Sequence, residues 1–378
     1  MTLTMRTFLC ATFCALLTSV AVPGRADGLS AKQIAAIGTI ANAALVNQHV
    51  SGMEVGVGRR GTLLYAQGYG LRERADHRPV TPRTIFPIGS ITKQFTAAAV
   101  MMLVQRGKVR LDAVVSRYLP SAPHARDVTV RELLDQTSGL PDYLENPALY
   151  RSIVDGTVQQ RTIAQYVNLV AGQPLHFKPG SKWEYSNTNY ALLGMLIERV
   201  SEEAYATFLD DAIFTPLGLA STSYLTTFVA PGPDSAHGYT YAKGAFAPVG
   251  NYDLSWGNAA GALGSTVSDL VRWDGAFLAG RVIPPKFVEI ATTPPAGVPV
   301  IVSKRPQDNV ALGYAFGWVD GRDEGRKILW HNGGLIGARA MNLVFPSDGL
   351  EIVVLTNDTG ADPDALALRI ARMLYSSS

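Results

Sequence analysis

Ser90 and Lys93 carry the side chains most suited to nucleophilic chemistry, and they lie three residues apart in Ser90-Ile91-Thr92-Lys93. Pro87 cannot continue a helix, whereas Gln94 to Val104 is rich in helix formers and is followed by Gly107. The sequence therefore predicts a helix that begins near Ser90. One helical turn would place the hydroxyl and the amine on the same face.

This arrangement would supply a nucleophile with its own base. Backbone N–H groups at a helix start favour negative charge, as on an alkoxide forming at Ser90. Burial of Lys93 among Phe95, Ala97 and Val100 would lower its pKa towards the neutral amine, which can accept a proton. A capping serine followed by a solvated lysine fits the same four residues, so other residues must decide.

Tyr185-Ser186-Asn187 follows the turn Pro179-Gly180 and precedes a helix that we predict to begin near Tyr190. An ammonium close to Tyr185 would favour the anionic phenol, which could then relay the Ser90 proton to a leaving group. Asn187 offers a donor and an acceptor for a substrate amide.

The competing match is Tyr166-Val167-Asn168. Ile163, Tyr166, Val167 and Val170 follow helical spacing, which predicts that Tyr166 is a core residue.

His331-Asn332-Gly333-Gly334 follows the apolar run Ile328-Leu329-Trp330, and we predict that a strand ends there at a sheet edge. The glycines would let a substrate backbone approach closely, and a backbone N–H would face that of Ser90 as an oxyanion hole. His331 would supply a donor and, when protonated, positive charge towards a carboxylate or ester oxygen. A lone histidine is also commonly structural.

Strand patterns occur at both ends of the chain. A helix over Ala31 to Gln48 precedes a hairpin of Met53 to Val57 and Thr62 to Tyr69. Further strands are predicted at the other end: Lys327 to His331, Ala340 to Phe345 and Leu350 to Asn357, followed by a helix that opens at Pro363.

Helical periodicity dominates the middle of the chain. We therefore expect an α+β fold: one antiparallel sheet from both chain ends, flanked by helices, with an inserted helical lobe. The sheet lobe would comprise about 27–85 and 255–378 and the helical lobe about 90–250 of one domain, 27–378.

The first 26 residues are typical of a signal peptide, with a cationic start, an apolar run over Thr7 to Val22, and cleavage expected after Ala26. We therefore expect an exported protein, periplasmic or extracellular, without a transmembrane anchor in the mature form. Cys10 and Cys14 both lie in this segment, so the mature chain would have neither a disulfide nor a thiol nucleophile. Its 31 basic and 31 acidic residues would balance, which does not favour a nucleic-acid partner.

Other site types lack their motifs. The chain has no Gly-x-Ser-x-Gly elbow, no His-Glu-x-x-His and no phosphate-binding Gly-x-x-x-x-Gly-Lys loop. Its six histidines are scattered without ligand spacing. We therefore expect neither a metal nor a cofactor.

Ser-x-x-Lys, Tyr-x-Asn and His-x-Gly, in that order, resemble the motifs of the serine β-lactamase and penicillin-binding protein superfamily. Specifically, they resemble the branch of ampC-type β-lactamases, D-alanyl-D-alanine carboxypeptidases, D-aminopeptidases and β-lactamase-like esterases. It extends over nearly the whole mature chain through five further stretches: Val130 to Leu140, Phe177 to Gly180, Pro216 to Leu219, Gly261 to Trp273 and Tyr314 to Trp318.

The resemblance implies a β-lactamase-like fold and a role for each motif. Ser90 becomes the acylated nucleophile, and Lys93 and Tyr185 become the general-base pair. Asn187 would bind a substrate amide, His331 would replace the lysine of Lys-Thr-Gly, and Gly334 would carry the second oxyanion-hole donor beside Gly333.

Two departures affect the expected activity. His331-Asn332-Gly333 stands where β-lactamases of this branch have Lys-Thr-Gly, which makes strong β-lactamase activity less expected. Gln136 stands where histidine is usual before Thr-Ser-Gly, which we expect to alter a structural hydrogen bond. We expect a serine hydrolase that forms an acyl-enzyme with D-amino-acid peptides, esters or, weakly, β-lactams. The alternatives are an ampC-type β-lactamase and an inert peptidoglycan-binding scaffold.

Overall fold

The computed structural model describes residues 28–298 and 311–377. The expected signal peptide lies outside these residues. None of the described helices combines the length and the apolar composition that crossing a bilayer requires.

The described residues form twelve α-helices: α1 (Ala31–Asn47), α2 (Thr92–Gln105), α3 (Val130–Leu134), α4 (Pro147–Val154), α5 (Ile163–Val167), α6 (Asn187–Ser201), α7 (Tyr205–Leu209), α8 (Thr215–Leu217), α9 (Asn258–Gly261), α10 (Val267–Leu278), α11 (Pro285–Ala291) and α12 (Pro363–Ser376). Short 3-10 turns occur at Gly89–Ile91, Val115–Arg117, Tyr143–Glu145 and Asn168–Val170, and a π-helical turn at Asp210–Phe214.

They also form thirteen strands: β1 (Gly52–Arg59), β2 (Thr62–Glu73), β3 (Arg78–Pro79), β4 (Phe86–Pro87), β5 (Ser223–Tyr224), β6 (Tyr239–Ala242), β7 (Ala245–Pro248), β8 (Leu263–Ser265), β9 (Ala311–Ala315), β10 (Trp318–Asp323), β11 (Arg326–Leu335), β12 (Ala338–Phe345) and β13 (Leu350–Thr356).

Eight of these strands form one antiparallel sheet in the order β3-β2-β1-β13-β12-β11-β10-β9. Strand β1, near the start of the chain, pairs with β13 near its end, with Val55 opposite Val354. The β1–β2 hairpin turns at Arg60 and Gly61, whose φ angles of 52° and 80° suit a tight hairpin turn. The predicted α+β fold with a sheet from both chain ends is confirmed.

Helices cover both faces of the sheet. Apolar side chains of α1 and α12 pack against Met53, Val55 and Val57 on one face. On the other face, α10 lies so close to β1 that a Cβ on Gly56 would be 2.7 Å from Val267 and one on Gly58 would be 2.3 Å from Val271. These glycines permit the close helix-to-sheet contact.

The core under α10 continues into the helical part of the chain. The Trp273 ring on α10 stacks on Phe95 of α2 with centroids 4.1 Å apart. Helix α2 in turn packs against α6 and α9. The helix that carries the Ser90 motif is therefore anchored on both the sheet side and the helical side.

The predicted end of the His331 strand is wrong. Strand β11 does not end at His331 but continues to Leu335. Its pairing with β10 does stop at Trp330. Beyond that residue, β11 lies against the turn Gly89–Ile91. The last part of β11 is thus no longer paired with β10 and lies beside the Ser90 turn.

Glu54 is the buried acid on the α10 face of β1. Its side chain is 0% exposed, and burial raises its pKa from 4.5 to about 8 despite the nearby backbone of Val267. The folded state therefore binds the Glu54 proton more tightly than the unfolded state does. Its contribution to stability is full below pH 4.5 and is lost as the pH rises to about 8.

We predict that Glu54→Gln reduces the loss of unfolding free energy between pH 5 and pH 9, by up to about 4 kcal/mol. Chemical denaturation at a series of pH values measures this slope. The exposed Glu289 provides the control variant Glu289→Gln. An unchanged slope in Glu54→Gln would contradict the assignment.

Candidate active site

Ser90 lies in the turn Gly89–Ile91, directly before α2. Gly89 has a φ of 51°, and a Cβ there would lie 2.9 Å from the backbone nitrogen of Gly334. Only glycine combines this conformation with this close contact. The sequence around Ser90 therefore folds so that the serine is held against the end of β11.

Lys93 lies in the first turn of α2 and is fully buried. Its Nζ donates to Ser90 Oγ at 3.1 Å, to Asn187 Oδ1 at 2.9 Å and to the Ala260 carbonyl at 2.7 Å. Burial lowers its pKa from 10.5 to about 7, although the negative charge of Asp142 opposes the shift. A large fraction of Lys93 is thus neutral near pH 7.

These contacts also orient the neutral amine. A neutral amine keeps two N–H bonds, and the acceptors at Ala260 and Asn187 can take both. The remaining direction, towards Ser90 Oγ, is then left for the lone pair. Deprotonated Lys93 can accept the Ser90 proton without moving.

Tyr185 contacts Ser90 from a second direction. Its hydroxyl donates to Ser90 Oγ at 2.8 Å, and Lys93 Nζ lies 4.7 Å from the centre of its ring. Burial raises the pKa of Tyr185 well above 10, so the phenol is protonated. The expectation of a phenol made anionic by Lys93 is therefore wrong, because desolvation dominates.

Asn187 is the first residue of α6, which begins there and not near Tyr190. Its Oδ1 accepts from Lys93, and its Nδ2 donates to Asp142 Oδ2 at 2.8 Å. The second N–H of Nδ2 remains for another acceptor. Asn187 can thus hold Lys93 and also present a donor to the cleft.

Asp142 is the site residue that the motif analysis missed. It also accepts the backbone N–H of Asn187 at 3.1 Å, and it fixes the orientation of that side-chain amide. Its position two residues after Leu140, at the end of a stretch typical of the superfamily, was the available signal. A further support comes from Gln136, whose Oε1 accepts the Ser186 N–H at 3.1 Å beside Tyr185.

Gly333 and Gly334 both lie beside the Ser90 turn. A Cβ on Gly333 would come within 2.0 Å of the Ile88 carbonyl, so a side chain there would displace the turn. Gly334 is exposed and lines the same cleft as Ser90. The backbone of β11 is therefore next to the nucleophile, as the motif predicted.

His331 is brought near the site but not as a cation. It is 3% exposed, and burial together with the charge of Lys93 lowers its pKa from 6.5 to about 3. Its Nδ1–H donates to the Asn332 carbonyl at 2.6 Å, and its Nε2 accepts from the Tyr314 hydroxyl at 3.2 Å. His331 was expected to carry positive charge only when protonated, and its surroundings leave the ring neutral.

A cleft of about 350 Å³ opens beside Ser90 and Asn187. Its remaining lining residues are mostly apolar or small: Gly89, Tyr143, Leu144, Tyr150, Ile153, Trp256, Gly257, Ala260, Gly261, Gly334, Leu335, Ile336 and Arg339. The predicted core residue Tyr166 is 0% exposed, and its hydroxyl bonds to Ser255 Oγ at 2.9 Å. The competing Tyr166 motif is therefore outside the site.

One group of the described residues has ligand atoms close enough together for a metal, namely Glu145, His176 and Glu184. All three are on the surface. His176 Nδ1 contacts Glu184, and its Nε2 lies 3.8 Å from Glu145. Both ring nitrogens thus already face a carboxylate.

The chain matches the family model described as Beta-lactamase over residues 32–376. Penicillin-binding protein 4* of Bacillus subtilis (strain 168) is 30% identical over 318 residues, which cover 79% of this chain and 66% of the relative. The match thus spans slightly less than two thirds of that relative's length.

Solved structures show the same similarity. D-amino acid amidase from Ochrobactrum anthropi SV3, complexed with L-phenylalanine amide, has 25% identity and a TM-score of 0.80, covering 92% of this chain and 99% of that one. D-stereospecific amidohydrolase from Streptomyces sp. has 28% identity and a TM-score of 0.76, covering 88% and 96%. With the family match across nearly all of the described chain, these likenesses establish that the protein belongs to the β-lactamase family of serine hydrolases, within the serine β-lactamase and penicillin-binding protein superfamily.

Proposed function

We propose that this protein is an exported serine hydrolase that cleaves amide or ester substrates through an acyl-enzyme, with D-alanyl-D-alanine carboxypeptidase-like or esterase-like activity. One observation carries the proposal. Ser90 Oγ lies 3.1 Å from Lys93 Nζ and 2.8 Å from the Tyr185 hydroxyl, between a base and an acid.

In the acylation step, neutral Lys93 takes the Ser90 proton as Oγ attacks the substrate carbonyl. The protonated Tyr185 then donates its proton to the leaving nitrogen or oxygen. The ammonium formed at Lys93 stabilises the transient phenolate, since Lys93 Nζ lies 4.7 Å from the ring centre. Water releases the acyl group in the second step with the same groups.

The developing oxyanion would be held by the backbone N–H groups of Ser90 and Gly334. Gly333 supports this role because it lets β11 lie against Ile88. Asn187 would donate its remaining Nδ2–H to a substrate carbonyl. His331 would contribute a neutral, polar side chain beside Tyr185 and Tyr314.

The choice of substrate rests on two observations. The relatives with solved structures include a D-amino acid amidase and a D-stereospecific amidohydrolase. His331 is neutral here, at the position where β-lactamases of the ampC-type branch carry a cationic lysine. Both favour small D-amino-acid amides, peptides or esters over β-lactams. An ampC-type β-lactamase is the second candidate, and an inert peptidoglycan-binding scaffold is the third.

We predict that Ser90→Ala abolishes both turnover and covalent labelling. Intact-protein mass spectrometry would follow wild type and Ser90→Ala after incubation with benzylpenicillin, p-nitrophenyl acetate and D-phenylalanine amide, while hydrolysis is followed separately. An acyl adduct or turnover in wild type alone supports the proposal.

The pattern of products separates the candidates. A lasting penicillin adduct indicates a carboxypeptidase-like enzyme, ester turnover without β-lactam loss indicates an esterase, and fast β-lactam loss indicates a β-lactamase. If wild type and Ser90→Ala show the same labelling and the same hydrolysis with all three compounds, the hydrolase proposal is rejected in favour of the inert scaffold.

We predict that Tyr185→Phe lowers kcat for amides by about 100-fold or more, since it removes the acid that protonates the leaving nitrogen. Aryl esters should lose less, because a nitrophenolate leaves without a proton. Parallel assays with D-phenylalanine p-nitroanilide and p-nitrophenyl acetate measure the difference. Tyr166→Phe is the control, since it removes a hydrogen-bonded phenol hydroxyl outside the site. Full amide turnover by Tyr185→Phe would rule out the acid role.

We predict that kcat/KM rises with pH up to about 7, where Lys93 loses its proton, and falls about tenfold per pH unit below that. Asp142→Asn should move this acid limb to lower pH, because the negative charge of Asp142 raises the pKa of Lys93. The exposed Glu145 gives the control Glu145→Gln. An acid limb that stays in place in Asp142→Asn would contradict the coupling.

A further inference from the structure

The cleft beside Ser90 extends along Gly334, Leu335 and Ile336. The rings of Tyr143, Tyr150 and Trp256 also line it. Of the described residues that line it, only Arg339 carries a charge. A single cation in a mostly apolar cleft is the feature that neither the family motifs nor the mechanism above explains.

Arg339 lies opposite Gly334 in the β11–β12 pairing. A Cβ on Gly334 would be 3.2 Å from Arg339 Nη1, so the guanidinium lies over the side of Gly334 that has no side chain. Gly334 itself is next to the Ser90 turn. The charge is therefore held beside the proposed oxyanion site, on the wall of the cleft.

The bonding of Arg339 fixes its position but leaves donors available. Nη1 donates to the Leu335 carbonyl at 2.8 Å and to the Ala338 carbonyl at 3.2 Å. Within residues 28–298 and 311–377, no group accepts a hydrogen bond from Nε or Nη2, and no carboxylate lies within 4 Å. The charges of Asp358 and Asp364 raise the pKa of Arg339, but from more than 4 Å away.

Partial burial makes this cation a strong binding group. It lowers the pKa of Arg339, but a guanidinium remains protonated at any physiological pH. Its attraction for an anion is less screened here than on an open surface. The N–H groups of Nε and Nη2 point in parallel from one side of the guanidinium. They can therefore donate to both oxygens of a carboxylate, whose negative charge complements that of Arg339.

The position of the leaving group indicates which part of the substrate reaches Arg339. In the proposed mechanism Tyr185 protonates the leaving group, which must therefore lie on the Tyr185 side of Ser90. Tyr185 is flanked there by Tyr314 and His331. None of these three is among the described residues that line the cleft with Gly334 and Arg339, so that cleft remains for the acyl group.

We propose that Arg339 is a specificity-determining residue that binds a carboxylate on the acyl group of the substrate. The preferred acyl donors are thus acidic amides or esters, such as those of dicarboxylic acids or acidic amino acids. The inference rests on the proposed hydrolase function for the identity of the acyl group, whereas the anion subsite depends only on the geometry of Arg339.

The test compares aryl esters with the same leaving group. Mono-p-nitrophenyl succinate and glutarate carry a carboxylate, whereas p-nitrophenyl butyrate and valerate are their neutral counterparts. We expect Arg339→Gln to lower kcat/KM for the acidic esters about 10- to 100-fold, mainly through KM, and to change the neutral esters less than about twofold.

Arg272→Gln is the matched control, since the Arg272 guanidinium also donates to a backbone carbonyl, that of Gly218 at 2.6 Å, but lies away from the cleft. It should leave the ratio of acidic to neutral turnover unchanged. Arg339→Lys should retain part of the preference. Equal losses of both ester classes in Arg339→Gln would assign Arg339 a structural role and overturn the proposal.

A binding measurement separates this proposal from the hydrolase assignment. Glutarate titrated calorimetrically into Ser90→Ala should bind, and binding should weaken about 10-fold or more in Ser90→Ala/Arg339→Gln and at high salt. Glutarate binding without hydrolysis of any ester by wild type would reject the hydrolase and keep the anion subsite. Ester hydrolysis without acidic preference or glutarate binding would keep the hydrolase and overturn the subsite. If Arg339→Gln fails to fold, two other measurements test the subsite. A reduced acidic preference in Arg339→Lys and a loss of acidic-ester kcat/KM at high salt would support it, and no change in either would overturn it.

Discussion

The structure depends on one buried amine. Lys93 has no exposed surface, and a charged ammonium in such a position is costly unless it is paired or loses its proton. Acceptors from two other segments, Asn187 of α6 and the Ala260 carbonyl of α9, reduce this cost. Burial nevertheless outweighs these contacts and lowers the pKa of Lys93 to about 7, so the amine is available as a base near neutral pH.

Holding that amine requires close contacts around α2. The turn between β9 and β10 approaches so tightly that a Cβ on Gly317 would lie 2.7 Å from the Lys93 carbonyl. On the other side, Gly89 and Gly333 bring the Ser90 turn against β11 where β11 is no longer paired with β10. Glycine is needed at these contacts because backbone meets backbone, and the nucleophile is positioned by rigid strands as a consequence.

Local sequence was sufficient for the main elements of both chain ends, although not for the end of β11 or the start of α6. The meeting of Ser90, Lys93, Tyr185 and Asn187 was expected from the order of the motifs and their resemblance to the superfamily. Strong periodicity and turn residues define the β1–β2 hairpin and α12, and helix-start signals define α2. The lowered pKa of Lys93 was predicted from its apolar neighbours in sequence, whereas the protonation of Tyr185 and His331 was not. Tyr185 is not anionic and His331 is not protonated, because burial shifts both pKa values. That burial involves residues distant in sequence, such as Tyr314, whose ring contacts both side chains. Asp142 and Arg339 lie outside the motifs, and only the folded chain shows that they face Asn187 and Gly334.

Different residues of the site control proton transfer and binding of the acyl group, so the two properties can change independently. Tyr185 and Asn187 are joined to Ser90 and Lys93 in one chain of hydrogen bonds, so altering either residue disturbs the proton transfers. Arg339 instead touches the catalytic groups only through the backbone of Gly334. A change there can alter which acyl group binds without altering the base. Because Arg339 is part of β12 and is tied to two carbonyls, its charge has a fixed position, and a substrate carboxylate gains its attraction without first ordering a mobile loop. Selectivity for the acyl group therefore depends on strand geometry, whereas reactivity depends on the burial of Lys93.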